Sequence, residues 1–237
     1  MKTGIELDTV VATEVAYWLQ NKDGQTPAST TLNPDFLVLL HPGQLFLDVG
    51  SGYGRISRQL DDFGLRVIGI DPNLQELSVG KNQNPSIPIA QAYGEHIPFR
   101  DNSFNGAVIL GVLGGVDRNT RCEILAETIR CVKPEGLVYA AEFSLISDPN
   151  SKTIADNQRW IDIYPRDSYQ TGEFGSVIVH DSSGGTKFIA HHFTEDELND
   201  LLTSSGIRHT EVRKVPVKSV VSGSTRDTWN IWGQKAA

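Results

Sequence analysis

The stretch Leu45-Phe46-Leu47-Asp48-Val49-Gly50-Ser51-Gly52-Tyr53-Gly54-Arg55-Ile56 decides how this chain is read. A mostly apolar run ends at Val49, Gly50, Gly52 and Gly54 follow, and Ile56 opens a helical stripe with Leu60 and Phe63. A strand that enters a helix through a glycine-rich turn lets backbone N–H groups approach a ligand at the carboxyl end of a sheet. Asp48 would repel a pyrophosphate there and would attract a cationic amino group. A dinucleotide fingerprint starting at Gly50 needs glycine or alanine at 55, where Arg55 stands, and no GxxxxGK[ST] phosphate loop occurs.

Outward from this turn, apolar runs at 45–49, 66–70, 87–90, 106–110 and 137–143 alternate with amphipathic segments. That pattern predicts an α/β fold, a mostly parallel sheet covered by helices on both faces. The second run ends in Asp71, just past the sheet, where a carboxylate can accept both hydroxyls of a ribose and where its loss should leave the fold intact. Adenosine joined to an amino acid fits Asp48 and Asp71 together. Cys122, Leu125, Ile129 and Val132 form another helical stripe, stopped by Pro134 and Gly136. Asn33 before Pro34 predicts the cap of a short helix over 36–40, and Leu7, Val11, Val15 and Trp18 share an earlier helical face. Thr194 and Glu197, flanked by Phe193 and Leu198, predict a capping box with a hydrophobic staple and a helix from Glu195. Runs at 209–215 and 228–232 alternate with polar residues, as strands near a sheet edge do.

Residues 145–192 interrupt the alternation and carry no strand–helix signal of the same kind. Segments 175–181 and 186–192 flank Ser182-Ser183-Gly184-Gly185, which predicts a β-hairpin. With Ser182 opposite Gly185, Val179 faces Phe188, Val177 faces Ala190, Ile178 faces Ile189 and Ser176 faces His191.

Of 237 residues, 39% are hydrophobic and 21% charged, a composition able to bury a sizeable core. Lys and Arg total 21 against 29 Asp and Glu, and the net charge of −8 disfavours nucleic acid or anionic membrane as partners. The longest apolar run, 106–116, is about half the roughly 20 residues that span a bilayer. The polar start MKTGIELDTV lacks a signal-peptide core, so a cytoplasmic protein is expected. Cys122 and Cys131 fall on opposite faces of one helix, and neither a disulfide nor a metal site is expected.

LDVGSGYG, VIGID, GEHIPFRDNSFNGAVIL, IRCVKPEGLVYAAEF and FTEDELNDLLTSSGI resemble, in that order, the motifs of class I S-adenosylmethionine-dependent methyltransferases of the type 11-like group. The resemblance runs from about residue 33 to the end. It implies a Rossmann-like sheet of seven strands, ordered 3-2-1-4-5-7-6 with the seventh antiparallel, in a single domain over 1–237. An N-terminal helical cap at 1–32 and an inserted lid at 145–192 would complete that domain. It further implies S-adenosylmethionine as cofactor, leaving S-adenosylhomocysteine. Asp48, Gly50, Ser51 and Gly52 would hold the methionine end, Asp71 the ribose, Tyr93 and Gly94 the adenine edge, and Leu110 and Gly111 would line the cofactor past the fourth strand. This chain has Tyr93 where many relatives have Asp, so stacking or a Gly94 backbone contact would replace that side chain. Asn105, where Asp is common, reads as structural. Residues 110–114 lack the Asn/Asp-Pro-Pro-Tyr signature of methyltransferases that act on planar amino groups of adenine or glutamine, and the expected reaction is methyl transfer to a small-molecule oxygen or nitrogen acceptor. The rivals are a tRNA or protein acceptor and a cofactor-binding protein that does not methylate.

Methyl transfer from a sulfonium needs mainly an aligned nucleophile, with a general base only where the acceptor must lose a proton. His191 and His192 are the candidate bases. They alternate faces, and His191, opposite the polar Ser176, is expected to line the acceptor pocket. Glu142 is a further candidate at a solvated strand end, and His96 reads as a surface turn. Tyr17, Trp18, Trp160, Tyr164, Arg166 and Tyr169 are the candidate acceptor contacts.

Overall fold

A computed structural model describes residues 31–153, 157–180, 186–218 and 225–237. The strands are β1 (Leu45–Val49), β2 (Arg66–Asp71), β3 (Ile89–Gln91), β4 (Phe104–Leu110), β5 (Val132–Phe143), β6 (Ser176–His180), β7 (Thr186–His191), β8 (Ile207–Lys218) and β9 (Thr225–Lys235). Seven of them form one sheet in the order β3-β2-β1-β4-β5-β9-β8. β1 to β5 run parallel, and β9 is antiparallel to both neighbours. Without the separate β6–β7 pair this is the order 3-2-1-4-5-7-6 that the resemblance implied.

Alternation along the central strands explains why the sheet needs two covering layers. Phe46, Val108, Tyr139 and Trp232 point to one face, where they meet Phe36, Ile56 and Leu60. Leu47, Val49, Ile109, Val138 and Ile231 point to the other, where they meet Leu125, Ile129, Leu198 and Leu202. Each such side chain, fully buried, contributes roughly 1.5–3 kcal/mol. The helices are α1 (Pro34–Leu37), α2 (Arg55–Asp62), α3 (Leu74–Gln83), α4 (Arg118–Cys131), α5 (Trp160–Thr171) and α6 (Glu195–Ser204), of which α1, α2, α4 and α6 supply these layers.

Several expectations are met and several corrected. Asn33 caps α1 by accepting from Asp35 N at 2.8 Å, but the helix ends at Leu37 rather than 40. β3 starts at Ile89, because Pro88 has no N–H and contributes only its carbonyl to Gly69. β5 leaves α4 directly at Val132, so Pro134 lies within the strand. Phe63 and Cys122 are exposed, and Arg121 and Thr128 are buried on α4 instead. Thr194 Oγ1 accepts from Glu197 N at 3.1 Å, while the Glu197 carboxylate turns to His191 and not to the Thr194 N–H. Only half of the capping box forms.

From Val179 outward the hairpin has the register read from the sequence, with Val179 opposite Phe188, Val177 opposite Ala190, Ile178 opposite Ile189 and Ser176 opposite His191, but next to the turn it shifts and His180 pairs with Thr186 rather than Lys187. The insert also contains a helix the sequence reading did not assign. α5 buries Trp160, Ile163 and Tyr164 against Val177, a helical spacing interrupted in the sequence by Pro165. Residues 1–30, with Tyr17 and Trp18 and nearly all of the expected cap, lie outside the described residues. Among the described residues no helix is long and apolar enough to cross a membrane.

Candidate functional site

The glycine turn after β1 folds over the tip of β2. Gly50 N and Ser51 N both donate to the Ile70 carbonyl at 2.9 Å, and Gly52 N donates to Asp71 Oδ2 at 2.9 Å. Gly50 has φ of 70°, and a Cβ there would lie 2.3 Å from Val112 Cγ2, so only glycine lets the turn pass the segment after β4. Asp71 Oδ1 also accepts from Asn73 N at 2.8 Å. Burial raises the Asp71 pKa, opposed by these two N–H donors. Each carboxylate oxygen keeps a further lone pair for a hydroxyl. Asp71 therefore organises the turn as well as facing past the strand, so its loss is expected to cost stability as well as any ligand contact.

Asp48 is buried and accepts from Ser57 Oγ at 2.6 Å. Burial pushes its pKa up to about 6, against the pull of Ser57 and Arg55. Among the described residues, the buried side-chain polar atoms without a hydrogen-bond partner are Ser51 Oγ, Arg55 Nε and Arg55 Nη1. All three belong to this one turn. Buried polar atoms are nearly always satisfied, so such a cluster is what a ligand's polar end would complete. A carboxylate beside a guanidinium with two unspent nitrogens, Nε and Nη1, matches a zwitterion. Arg55, read from sequence only as the wrong residue for a dinucleotide fingerprint, is thus the functional candidate that reading missed.

The neighbouring wall comes from the end of β4. Gly111 has φ of 68° and nothing within 4 Å of where a Cβ would stand, and Leu110 beside it is half-buried. Gly94 packs against Ile124, and Tyr93 is 42% exposed. Asn105 is structural, its Oδ1 accepting from Leu45 N at 3.0 Å. Glu142 corrects the expectation of a solvated strand end. It is buried, with Oε1 accepting from Val112 N (2.9 Å) and Leu113 N (2.7 Å) and Oε2 from Gly114 N (3.2 Å). Burial pushes its pKa up to about 7 against those three donors and Arg121.

The two histidines do point to opposite sides, but into packed surroundings. His191 Nδ1 shares a hydrogen bond with Ser176 Oγ at 2.9 Å, and Nε2 shares one with Glu197 Oε1 at 3.0 Å. Ser176 Oγ donates to Glu173 Oε2 at 3.0 Å, and Arg121 grips Glu173 bidentately at 2.7 and 3.0 Å while donating to the Leu113 carbonyl. Burial acts to raise the Glu173 pKa, but the Arg121 hydrogen bond and the nearby His191 outweigh it and hold the carboxyl below its usual value. Glu173, His191 and Glu197 could in principle meet at a metal. The carboxylates instead approach opposite ring nitrogens, and Arg121 occupies Glu173, so the group acts as a clamp tying the insert to the turn after β4. His192 lies among Phe143, Trp160 and Tyr164, with Nδ1 2.7 Å from Tyr164 Oη. Burial, with Arg226 and His191 nearby, pushes its pKa down to about 3, so it accepts no proton near neutrality.

Residues 47–140 match the family model described as a methyltransferase domain. A solved S-adenosylmethionine-dependent methyltransferase from Methanosarcina mazei is 29% identical, covers 87% of this chain and 99% of its own, and superposes with a TM-score of 0.75. Residues 47–140 carry a methyltransferase domain, and the chain as a whole has the fold of the Methanosarcina protein. Among curated proteins, this domain is similar to the demethylmenaquinone methyltransferase of Renibacterium salmoninarum, 40% identical over 103 residues, 44% of this chain and 43% of that protein. It is also similar to a ubiquinone/menaquinone biosynthesis C-methyltransferase of Haemophilus ducreyi, 29% identical over 179 residues, 69% of this chain and 64% of that protein. The first of these relatives is matched over less than half of its length. In the methyltransferase domain Asp48, Gly50, Ser51, Gly52, Asp71 and Gly111 border one region at the carboxyl ends of β1, β2 and β4, whereas His191 and His192 belong to the packed base of the insert.

Proposed function

We propose that the cradle binds S-adenosylmethionine and that the domain transfers its methyl group to a small organic acceptor. The observation that carries this reading is the set of unpartnered buried atoms of Ser51 and Arg55 gathered beside Asp48 in the glycine turn. Asp48 and Arg55 would take the ammonium and carboxylate of the amino-acid end, and Asp71 the ribose hydroxyls. Tyr93 and Gly94 would border the adenine, and Leu110 and Gly111 would leave room past β4. Bound S-adenosylmethionine supplies an electrophilic methyl on a sulfonium. The chain's own part is then to align the acceptor and exclude water, a positional effect worth several kcal/mol. Neither His191, with both ring nitrogens engaged, nor His192, neutral and weakly basic, is assigned a proton-transfer role. Among the described residues the two histidines thus supply no base, and this reading takes an acceptor that is nucleophilic as bound. The acidic net charge of −8 argues against RNA. Methyl transfer scored by mass spectrometry across phenols, amines, quinols and carboxylates tests this reading, and cofactor binding with no transfer to any of them would favour a non-methylating role.

A quinone-type acceptor methylated on carbon is a second reading, favoured by the names of the curated relatives. The family match ends at residue 140, before the insert that borders the acceptor side, so it speaks for the cofactor half of the domain.

Cofactor affinity should depend on pH through Asp48. Because burial raises its pKa from 3.8 to about 6, the empty cradle loses stability as the pH rises through that window and Asp48 ionises. An ammonium ligand binds the ionised form, so affinity rises over the same window. Calorimetry with S-adenosylhomocysteine should show Kd falling by about tenfold between about pH 5 and 7, then levelling. A flat profile would remove Asp48 from the ammonium contact. Asp71→Ala should weaken the same ligand by roughly 1.5–3 kcal/mol, and it should also lower the unfolding midpoint, because Gly52 N and Asn73 N lose their acceptor. A stable variant with unchanged affinity would contradict both roles.

A further inference from the structure

A cavity of about 270 Å³ opens between the segment after β5, the start of α5 and the ends of β8 and β9. Topology places it on the same edge of the sheet as the cradle. Phe143, the last residue of β5, pairs with Thr228 of β9, and Thr228 pairs with Val215 of β8, so Ser144, Lys214 and Arg226 all lie at the carboxyl end of β5. β5 is the neighbour of β4, whose end carries Gly111.

The lining combines an apolar wall, Leu145, Ile146 and Trp160, with the cationic side chains Lys152, Lys214 and Arg226. Asp148 and Asp227 border it too. Lys214 lies 3.5 Å from Asp227, and Asp148 is turned to the Asn150 N–H at 2.9 Å, so three cationic side chains against two carboxylates leave the lining with one net positive charge. In a chain of net charge −8, a locally positive cavity is not an average property of the surface. Arg226 is the sharper observation. Its guanidinium carbon stands 5.0 Å from the Trp160 ring centroid and 6.0 Å from that of Phe143, and among the described residues it has no carboxylate partner and no hydrogen-bond acceptor. Burial lowers its pKa, as expected for a cation whose charge is not compensated by the protein. A guanidinium fixed by aromatic rings, with its N–H groups unspent, is suited to a carboxylate or phosphate oxyanion.

We propose that this cavity receives the methyl acceptor as a small organic anion, with its apolar body against Leu145, Ile146 and Trp160 and its oxyanion on Arg226, assisted by Lys152. The proposal rests on the methyl-transfer reading for the role of the ligand, and on the cavity alone for its chemistry.

The test uses the full chain with S-adenosylhomocysteine present and three probes of one shape: benzoate, phenyl phosphate and the neutral benzyl alcohol. Ligand-observed NMR titration should find at least one anion binding about tenfold or more tightly than the alcohol, a difference of about 1.4 kcal/mol. The tighter of the two anions identifies the head group as carboxylate or phosphate. Arg226→Met should abolish the preference while leaving S-adenosylhomocysteine affinity unchanged, and Lys152→Met, at an exposed position, should reduce it by a smaller factor. Equal binding of alcohol and anions, anion binding that survives Arg226→Met, or no binding by any probe overturns the proposal. Loss of S-adenosylhomocysteine binding by the unmodified chain, with benzoate still bound, would instead sink the methyl-transfer reading and leave the cavity's anion preference standing.

Discussion

Glu142→Ala should lower the folding stability by about 3 kcal/mol or more, read as a large drop in urea midpoint. The carboxylate accepts from Val112, Leu113 and Gly114, and removing it strands the buried Leu113 N–H, at about 1–3 kcal/mol, and takes the acceptor from the half-buried Val112 and Gly114 N–H groups at a smaller cost each. The same turn carries the Leu113 carbonyl held by Arg121, so the insert should loosen with it. Glu142→Gln offers a finer test. One amide oxygen can still serve Val112 and Leu113, but the NH₂ group then faces Gly114 N, and the loss should be intermediate. An alanine variant with an unchanged midpoint would show that the turn does not depend on this side chain.

Gly50→Ala should abolish measurable binding of S-adenosylhomocysteine, weakening it about a hundredfold or more. Two costs combine. A φ of 70° is unfavourable for any residue with a Cβ, by roughly 1–2 kcal/mol, and the new carbon would stand 2.3 Å from Val112 Cγ2. Relieving that overlap displaces the turn and costs typically 1–3 kcal/mol more. Because the clash is with one methyl group, adding Val112→Ala should restore part of the affinity and leave only the backbone cost. No recovery in the double variant, or full binding by Gly50→Ala alone, would mean that the turn is placed differently.

Local sequence signals made much of this architecture readable. The turn from β1 to α2 is encoded by a short apolar run, spaced glycines and a helical stripe, all within the contiguous stretch 45–63. The hairpin register followed from alternation and a glycine-containing turn, and Asn33 and Thr194 announced their helices through side-chain capping. What escaped was chemistry assembled across the chain. Arg121 and Glu173 meet across 52 positions, and nothing near either residue announces the other. Glu197 reads locally as half of a capping box, and only tertiary structure brings His191 to compete for it. α5 was hidden because Pro165 falls inside its apolar spacing. Arg226 lies at the start of β9, beside the edge strand β8, where polar alternation makes a charged residue unremarkable, and its significance comes from Trp160 and Phe143, which the fold places beside it. The histidines were conspicuous as residue types, yet burial turned one into a clamp and the other into a neutral ring.

The measurement that bears most directly on the central claim is calorimetric titration of the purified chain with S-adenosylhomocysteine and, separately, with NAD. A cradle built from Asp48, Arg55 and Asp71 predicts micromolar binding of S-adenosylhomocysteine, on the order of −8 kcal/mol, and no binding of NAD. Tight binding of NAD with no response to S-adenosylhomocysteine would contradict it.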